Sequence, residues 1–286
     1  MIRLLFAFIL ILSSTSNAHA DSAVPSELNH QGLQENKPTE DKNNHSTLNV
    51  VILGDSNTFI GGDNCDQPKG WNTWFKERFA PATCKSYARS GATWTNTTST
   101  SINTTEKIDI IGNNNVIFNQ IIRLKEAYTK HIQPKPHLIL ITAGTNDAWF
   151  TQYRPNVFDK TVEQVFANNK LITNKPVNQV TTLAESVRFG CELLMEAFPD
   201  AQIILLTPMQ STAAGNEKIF KVGDIIEKCG HYMSLGVIRQ DSGSCVYSIR
   251  EQQNKHFTSD GTHTSEAGAR KNGYWIANQV SAMLQW

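Results

Sequence analysis

Residues 50–58 read VVILGDSNT: Val50, Val51, Ile52 and Leu53 run apolar, and the run breaks at Gly54, Asp55 and Ser56. Residues 48–53 have the length and β-branched content of a buried strand. Ser56 then has two readings. It caps a helix that follows the strand, as serine does well, or it is a nucleophile where a sheet edge meets solvent.

Working outward, the pattern repeats. Further strands are predicted at 84–88, 137–142, 202–206 and 246–249. Helices are predicted at 71–79, 116–131, 180–198, part of 214–235, and 265–284, with apolar residues at helical spacing in the second, third and last. Val116, Ile117, Gln120, Ile121 and Leu124 set the rhythm of the second of these. Residues 96–105 are rich in Thr, Asn and Ser and read as a loop. Residues 150–179 lack a clean period and read as a long excursion of the kind that is often functional. Apolar strands alternating with helices predict a parallel sheet covered on both faces, the doubly wound α/β class.

The start of the chain reads differently. Arg3, a short apolar run over 4–12 and Ala18-His19-Ala20 predict a signal peptide, 1–20, cut after Ala20. A retained N-terminal anchor is the competing reading. The apolar run is too short to span a bilayer, and the mature protein is expected in the periplasm or secreted. Residues 21–46 are polar and predict a flexible leader. One domain, 47–286, takes the rest. With 26 basic and 26 acidic side chains the chain carries no net charge, so nucleic acid and anionic membranes gain no support as partners.

Cys65, Cys84, Cys191, Cys229 and Cys245 fit no zinc spacing. Cys191 lies on an apolar stripe and reads as a buried thiol. The other four allow three connectivities, of which Cys65–Cys84 and Cys229–Cys245 close the shortest loops.

In an open parallel sheet, ligands bind at the carboxyl ends of the strands. Gly54-Asp55-Ser56 follows the first strand, Ser90-Gly91 the second, and Gly144-Thr145-Asn146-Asp147 the third. Asp260-Gly261-Thr262-His263 precedes the last helix. A serine hydroxyl needs a base. His263 is of the right type, and Asp260, three residues earlier, is placed to orient its ring. The N–H groups of Ser56 and Gly91 and the Asn146 amide are candidate oxyanion donors. Asp147 reads as a brace for its own loop. Trp94, Trp149 and Tyr153 flank these stretches, either as packing or as an aromatic rim for a sugar or acyl group.

Taken in order, "GDSN", "SGAT", "GTND" and "DGTH" resemble the four signature blocks of the SGNH hydrolases, the GDSL-type esterases. The blocks span 54–263, nearly the whole domain. The resemblance implies a flavodoxin-like three-layer α/β/α sandwich with a mostly parallel five-stranded sheet. It also implies ester hydrolysis without metal or cofactor, with Ser56, Asp260 and His263 catalytic and Ser56, Gly91 and Asn146 lining the oxyanion hole. Asn57 stands where the commonest first block has Leu, and Thr264 where many members have Pro. Both speak against a lipase-like subgroup. No Gly-x-Ser-x-Gly elbow is present, which argues against an α/β-hydrolase fold. The expected activity is removal of small acyl groups, such as acetyl, from a carbohydrate or cell-wall glycan. Lipid ester or thioester hydrolysis, O-acyl transfer, and an inactive glycan-binding module are the alternatives.

Overall fold

The computed structural model describes residues 45–105 and 111–285. The expected signal peptide and residues 21–44 of the leader lie outside them. His45, at the end of the expected leader, stacks on Phe79 with ring centroids 3.9 Å apart.

Five strands form one all-parallel sheet: β1 (Asn49–Gly54), β2 (Thr83–Ser86), β3 (Leu138–Thr142), β4 (Gln202–Leu206) and β5 (Gly236–Ile238). Their order is β2-β1-β3-β4-β5, the flavodoxin-like order, in which the chain reverses direction across the sheet between β1 and β3. Alternate residues of one strand feed two cores. Val51, Leu53, Ile139, Ile141 and Leu205 face one core with α3 (Ile117–Thr129), α6 (Leu183–Ala197) and α7 (Asn216–Tyr232). Val50, Ile52, Leu138, Leu140 and Leu206 face the other, with α2 (Trp71–Phe79) and α10 (Glu266–Met283). This two-sided burial is why the strands read as continuous apolar runs. Each aliphatic side chain so buried contributes about 1.5–3 kcal/mol. The three-layer sandwich stands as expected.

Short elements complete the set: α1 (Ser56–Phe59), α4 (Thr145–Trp149), α5 (Val162–Val165), α8 (Gln240–Gly243) and α9 (Ser248–Gln253). The excursion over 150–179 folds into α5 and single turns at Thr151–Tyr153 and Val177–Gln179.

Two expectations are corrected. The fifth strand is not at 246–249 but at Gly236–Ile238, paired to β4 through Ile204↔Gly236 and Leu206↔Ile238. Val246 is buried, yet Tyr247 and Ile249 face solvent, and Ser248 starts α9. Its β-branched composition misled, while the true strand is three residues long and begins with a glycine. The disulfide pairing is the second. All five cysteines are free. The Sγ atoms of Cys65 and Cys84 lie 3.5 Å apart as a thiol contact. Cys229 instead faces the Ala184 carbonyl, and Cys245 the Gly268 carbonyl, so these two do not meet. Cys191 is buried, as its place on the apolar stripe implied.

Candidate active site

The end of β1 is fixed by a polar side chain hidden in an apolar helix face. Gln120 of α3 is buried; its Oε1 accepts the Gly54 N–H and its Nε2 donates to the Gly54 carbonyl, both at 2.8 Å. The Asp55 N–H donates to the Thr142 carbonyl of β3 at 3.1 Å. Gly54 is required by space: a Cβ there would lie 2.6 Å from the Thr142 oxygen and 2.7 Å from Thr58 Oγ1. The chain then turns into α1. Asp55, not Ser56, is the cap, with Oδ1 accepting the Asn57 N–H at 3.1 Å. Ser56 is therefore the first helical residue, and its hydroxyl is not used in capping.

That hydroxyl meets a ring from the far end of the chain. Ser56 Oγ and His263 Nε2 are 2.9 Å apart, and His263 Nδ1 lies 2.7 Å from Asp260 Oδ2. The other Asp260 oxygen accepts the N–H groups of Thr262 and His263, at 2.9 and 2.8 Å. Burial pushes the Asp260 carboxyl up, but the His263 ring and these two N–H groups outweigh it and hold it below its usual range. The turn is docked from both sides. Thr262 Oγ1 lies 2.7 Å from Ser211 Oγ. Upstream, the buried Glu251 accepts the N–H groups of His256, Phe257 and Thr258.

The second and third strand ends meet over Ser56. Asn146 Nδ2 donates one hydrogen to the Ala92 carbonyl at 2.9 Å, which leaves its second hydrogen for a ligand. Gly91 has φ +79°, a conformation that favours glycine. Among the described residues, neither the Gly91 nor the Ser56 N–H donates to another protein group. Asp147 does not brace its own loop. It is fully buried and reaches across to accept the N–H groups of Trp94 and Thr95, at 3.0 and 2.9 Å. Arg154 joins it, donating from Nε to the Thr95 carbonyl and to Thr93 Oγ1, and from Nη2 to the Gly112 carbonyl.

A pocket of about 410 Å³ opens above this group. Its lining includes the polar groups of Ser56, Ser90, Asn146 and His263, with Gly91, and the apolar side chains of Ile111, Trp149, Phe150 and Tyr153. Trp149 and Phe150 stack at 4.8 Å, and Tyr153 is exposed. Trp94 does not belong here. It is 1% exposed, a member of the core beside Gly190 and Ile121, so its expected contact with substrate is withdrawn. Its backbone is what matters, because the N–H groups of Trp94 and Thr95 hold the loop to Asp147.

Burial pushes the Asp55 carboxyl up to about 6, against the pull of the Asn57 N–H and the nearby His263. Among the described residues no cluster of three or more His, Cys, Asp or Glu is placed to hold a metal. Gln120, Arg154 and Glu251 hold the site without belonging to any of the strand-end stretches. Gln120 had a signal, a polar residue on an otherwise apolar helix stripe. Glu251 and Arg154 had none that spacing reveals, since their partners are loop backbones.

This fold and these strand-end loops place the chain among known proteins. Residues 50–276 match the family described as GDSL-like Lipase/Acylhydrolase. The chain belongs to this family, the SGNH hydrolases, and is a carboxylic ester hydrolase. Among solved structures, a possible lipase from Chitinophaga pinensis DSM 2588 is similar at 16% identity and TM-score 0.52, over 82% of this chain and 98% of that one. An acetyl xylan esterase, AlAXEase, is similar at 14% identity and TM-score 0.52, over 83% of this chain and 100% of that one. A protein from Lactobacillus plantarum is similar at 12% identity and TM-score 0.55, over 84% and 99%. At such identities the likeness is one of fold. No curated protein matches the chain.

Proposed function

We propose that this chain is an extracytoplasmic serine esterase that removes small acyl groups, acetyl foremost, from a carbohydrate or cell-wall glycan. The observation that carries the chemistry is the continuous line Ser56 Oγ, His263 Nε2, His263 Nδ1, Asp260 Oδ2, with gaps of 2.9 and 2.7 Å. Ser56 attacks the ester carbonyl while His263 takes its proton, and Asp260 stabilises the imidazolium that results. The carbonyl oxygen, now an oxyanion, collects the N–H groups of Ser56 and Gly91 and the spare Asn146 hydrogen. His263 returns its proton to the departing alcohol. Water then enters, loses a proton to His263 and releases the acid from Ser56.

The substrate class is read from the pocket. Trp149, Phe150 and Tyr153 line the same pocket as Ser56, and their aromatic faces suit a sugar ring. The location is read from residues 1–20, and the mature protein is expected to begin at Asp21, which N-terminal sequencing of the exported protein tests. The function is tested with chromogenic acetyl and octanoyl esters, each given to wild type and Ser56→Ala. The expected result is faster acetyl turnover that Ser56→Ala abolishes. Equal rates in the two proteins would remove the serine mechanism, and faster octanoyl turnover would remove the small-acyl reading. Acetylated polysaccharides, with and without Trp149→Ala and Tyr153→Ala, test the sugar platform. A rise in KM for polysaccharide but not for a small acetyl ester is expected.

A further inference from the structure

The residue after Ser56 touches the residue after His263. Asn57 Oδ1 accepts the Thr264 N–H at 3.2 Å, across 207 positions of sequence. Both residues are buried, Asn57 at 3% exposure and Thr264 at 1%. The Thr264 hydroxyl also donates to the Lys69 carbonyl at 2.7 Å, which ties the same point to the loop before α2. The pair joins the two residues that directly follow the partners of the Ser56–His263 contact. It is also where this chain departs from the commonest forms of both blocks. A leucine at 57 would offer no acceptor, and a proline at 264 would have no N–H to give.

The two links have different lifetimes in a reaction cycle. In the free enzyme Ser56 Oγ–H donates to His263 Nε2, and this bond itself aligns the ring. Once Ser56 is acylated, its oxygen has no hydrogen to donate. His263 must nevertheless stay within reach of a water. That water attacks the acyl carbonyl, gives its proton to Nε2, and the proton passes to Ser56 Oγ as the acyl–oxygen bond breaks and the acid leaves. Asp260 holds the ring from the other side, but it belongs to the same turn and moves with it. The Asn57–Thr264 bond connects that turn to α1 and needs no hydrogen from Ser56.

We infer that Asn57 is a positioning residue whose side-chain carbonyl pins the chain beyond His263 to the nucleophile helix, keeping the base in place through the acyl-enzyme stage. This rests on the serine esterase reading. Its loss therefore slows deacylation more than acylation. For an ester with a good leaving group, slow deacylation lowers kcat and KM together and leaves kcat/KM nearly unchanged. A misplaced side chain of no direct chemical role costs up to about a hundredfold in rate.

The test is stopped-flow hydrolysis of 4-nitrophenyl acetate by wild type, Asn57→Leu and Asn57→Ala, each normalised to sites titrated with a fluorophosphonate. Leucine preserves bulk and deletes the acceptor. Alanine is smaller and covers the case in which leucine does not fold. In each folded variant kcat is expected to fall roughly tenfold, with KM falling alongside it. A burst of about one equivalent of nitrophenol per site is expected, with acetyl found on Ser56 by mass. A fall in kcat/KM equal to that in kcat, with KM unmoved and no burst, would overturn the inference. So would unchanged kcat. Acetyl on a residue other than Ser56 in the wild type would instead defeat the esterase reading on which it rests.

Discussion

Two carboxylates flank the candidate active site and do similar work in opposite surroundings. Asp260 collects two backbone N–H groups from its own turn, and its side chain is 54% exposed. Asp147 also collects two N–H groups, but from residues 52 and 53 positions away, and is fully buried. On the proposed mechanism, the first makes the turn that carries the base and the second holds the loop that carries an oxyanion donor. A base moves a proton and works at the edge of solvent. An oxyanion donor works through fixed geometry and is worth most where water is excluded. Exposure on one side and burial on the other follow that division.

The largest expected effect tests the exposed side. His263→Ala is expected to lower kcat by at least roughly four orders of magnitude on an acetyl ester, since the hydroxyl then has no base. Asp260→Asn is expected to cost roughly 10²–10⁴-fold, with the fold unchanged by circular dichroism. A drop under about fivefold in Asp260→Asn would show that the carboxylate only shapes its turn. On the buried side, Asn146→Ala is expected to cost roughly 10²–10³-fold in kcat with little change in KM, the signature of a donor used in the transition state. Arg154→Met leaves the Thr95 and Gly112 carbonyls without this donor and is expected to lower stability by about 1–3 kcal/mol. Urea unfolding reads that loss, and an unchanged midpoint would contradict the view that this loop is gripped.

A third carboxylate sharpens the contrast. Asp55 is buried beside the site, and its carboxyl rises from an ordinary 3.8 to about 6. Between these values the folded protein holds a proton that the unfolded chain releases, so this group's contribution to stability falls as pH rises from 4 to 6. The shift corresponds to about 3 kcal/mol. Asp55→Asn keeps the oxygen that caps α1 and removes the titration. Relative to wild type it is expected to gain stability at pH 7 and not at pH 4. A constant difference between the two proteins across that range would remove the assignment.

The same contrast explains what was legible in the sequence. The turn at Asp260–His263 is bonded to itself, so four consecutive residues carry its geometry and its chemistry. The β1 end was legible too, because both faces of that strand are buried and Gly54 has no room for a side chain. Asp147 was visible as a residue but not as a clamp, because its partners are backbone groups on another strand's loop. Trp94 was misjudged for the same reason: next to a signature block, it still points into the core. β5 was missed because three residues at a sheet edge carry too little pattern, and the true neighbour of β4 begins with a glycine. Asn57 stood out only as a departure, and its meaning depends on Thr264 lying beside it in space.

The central claim is that Ser56 is the nucleophile and His263 its base. Reaction with a fluorophosphonate, followed by intact mass and peptide mapping, tests it most directly. One adduct on Ser56 is predicted in the wild type, none in Ser56→Ala, and slow labelling in His263→Ala. An adduct on any other residue, or labelling that persists in Ser56→Ala, would contradict it.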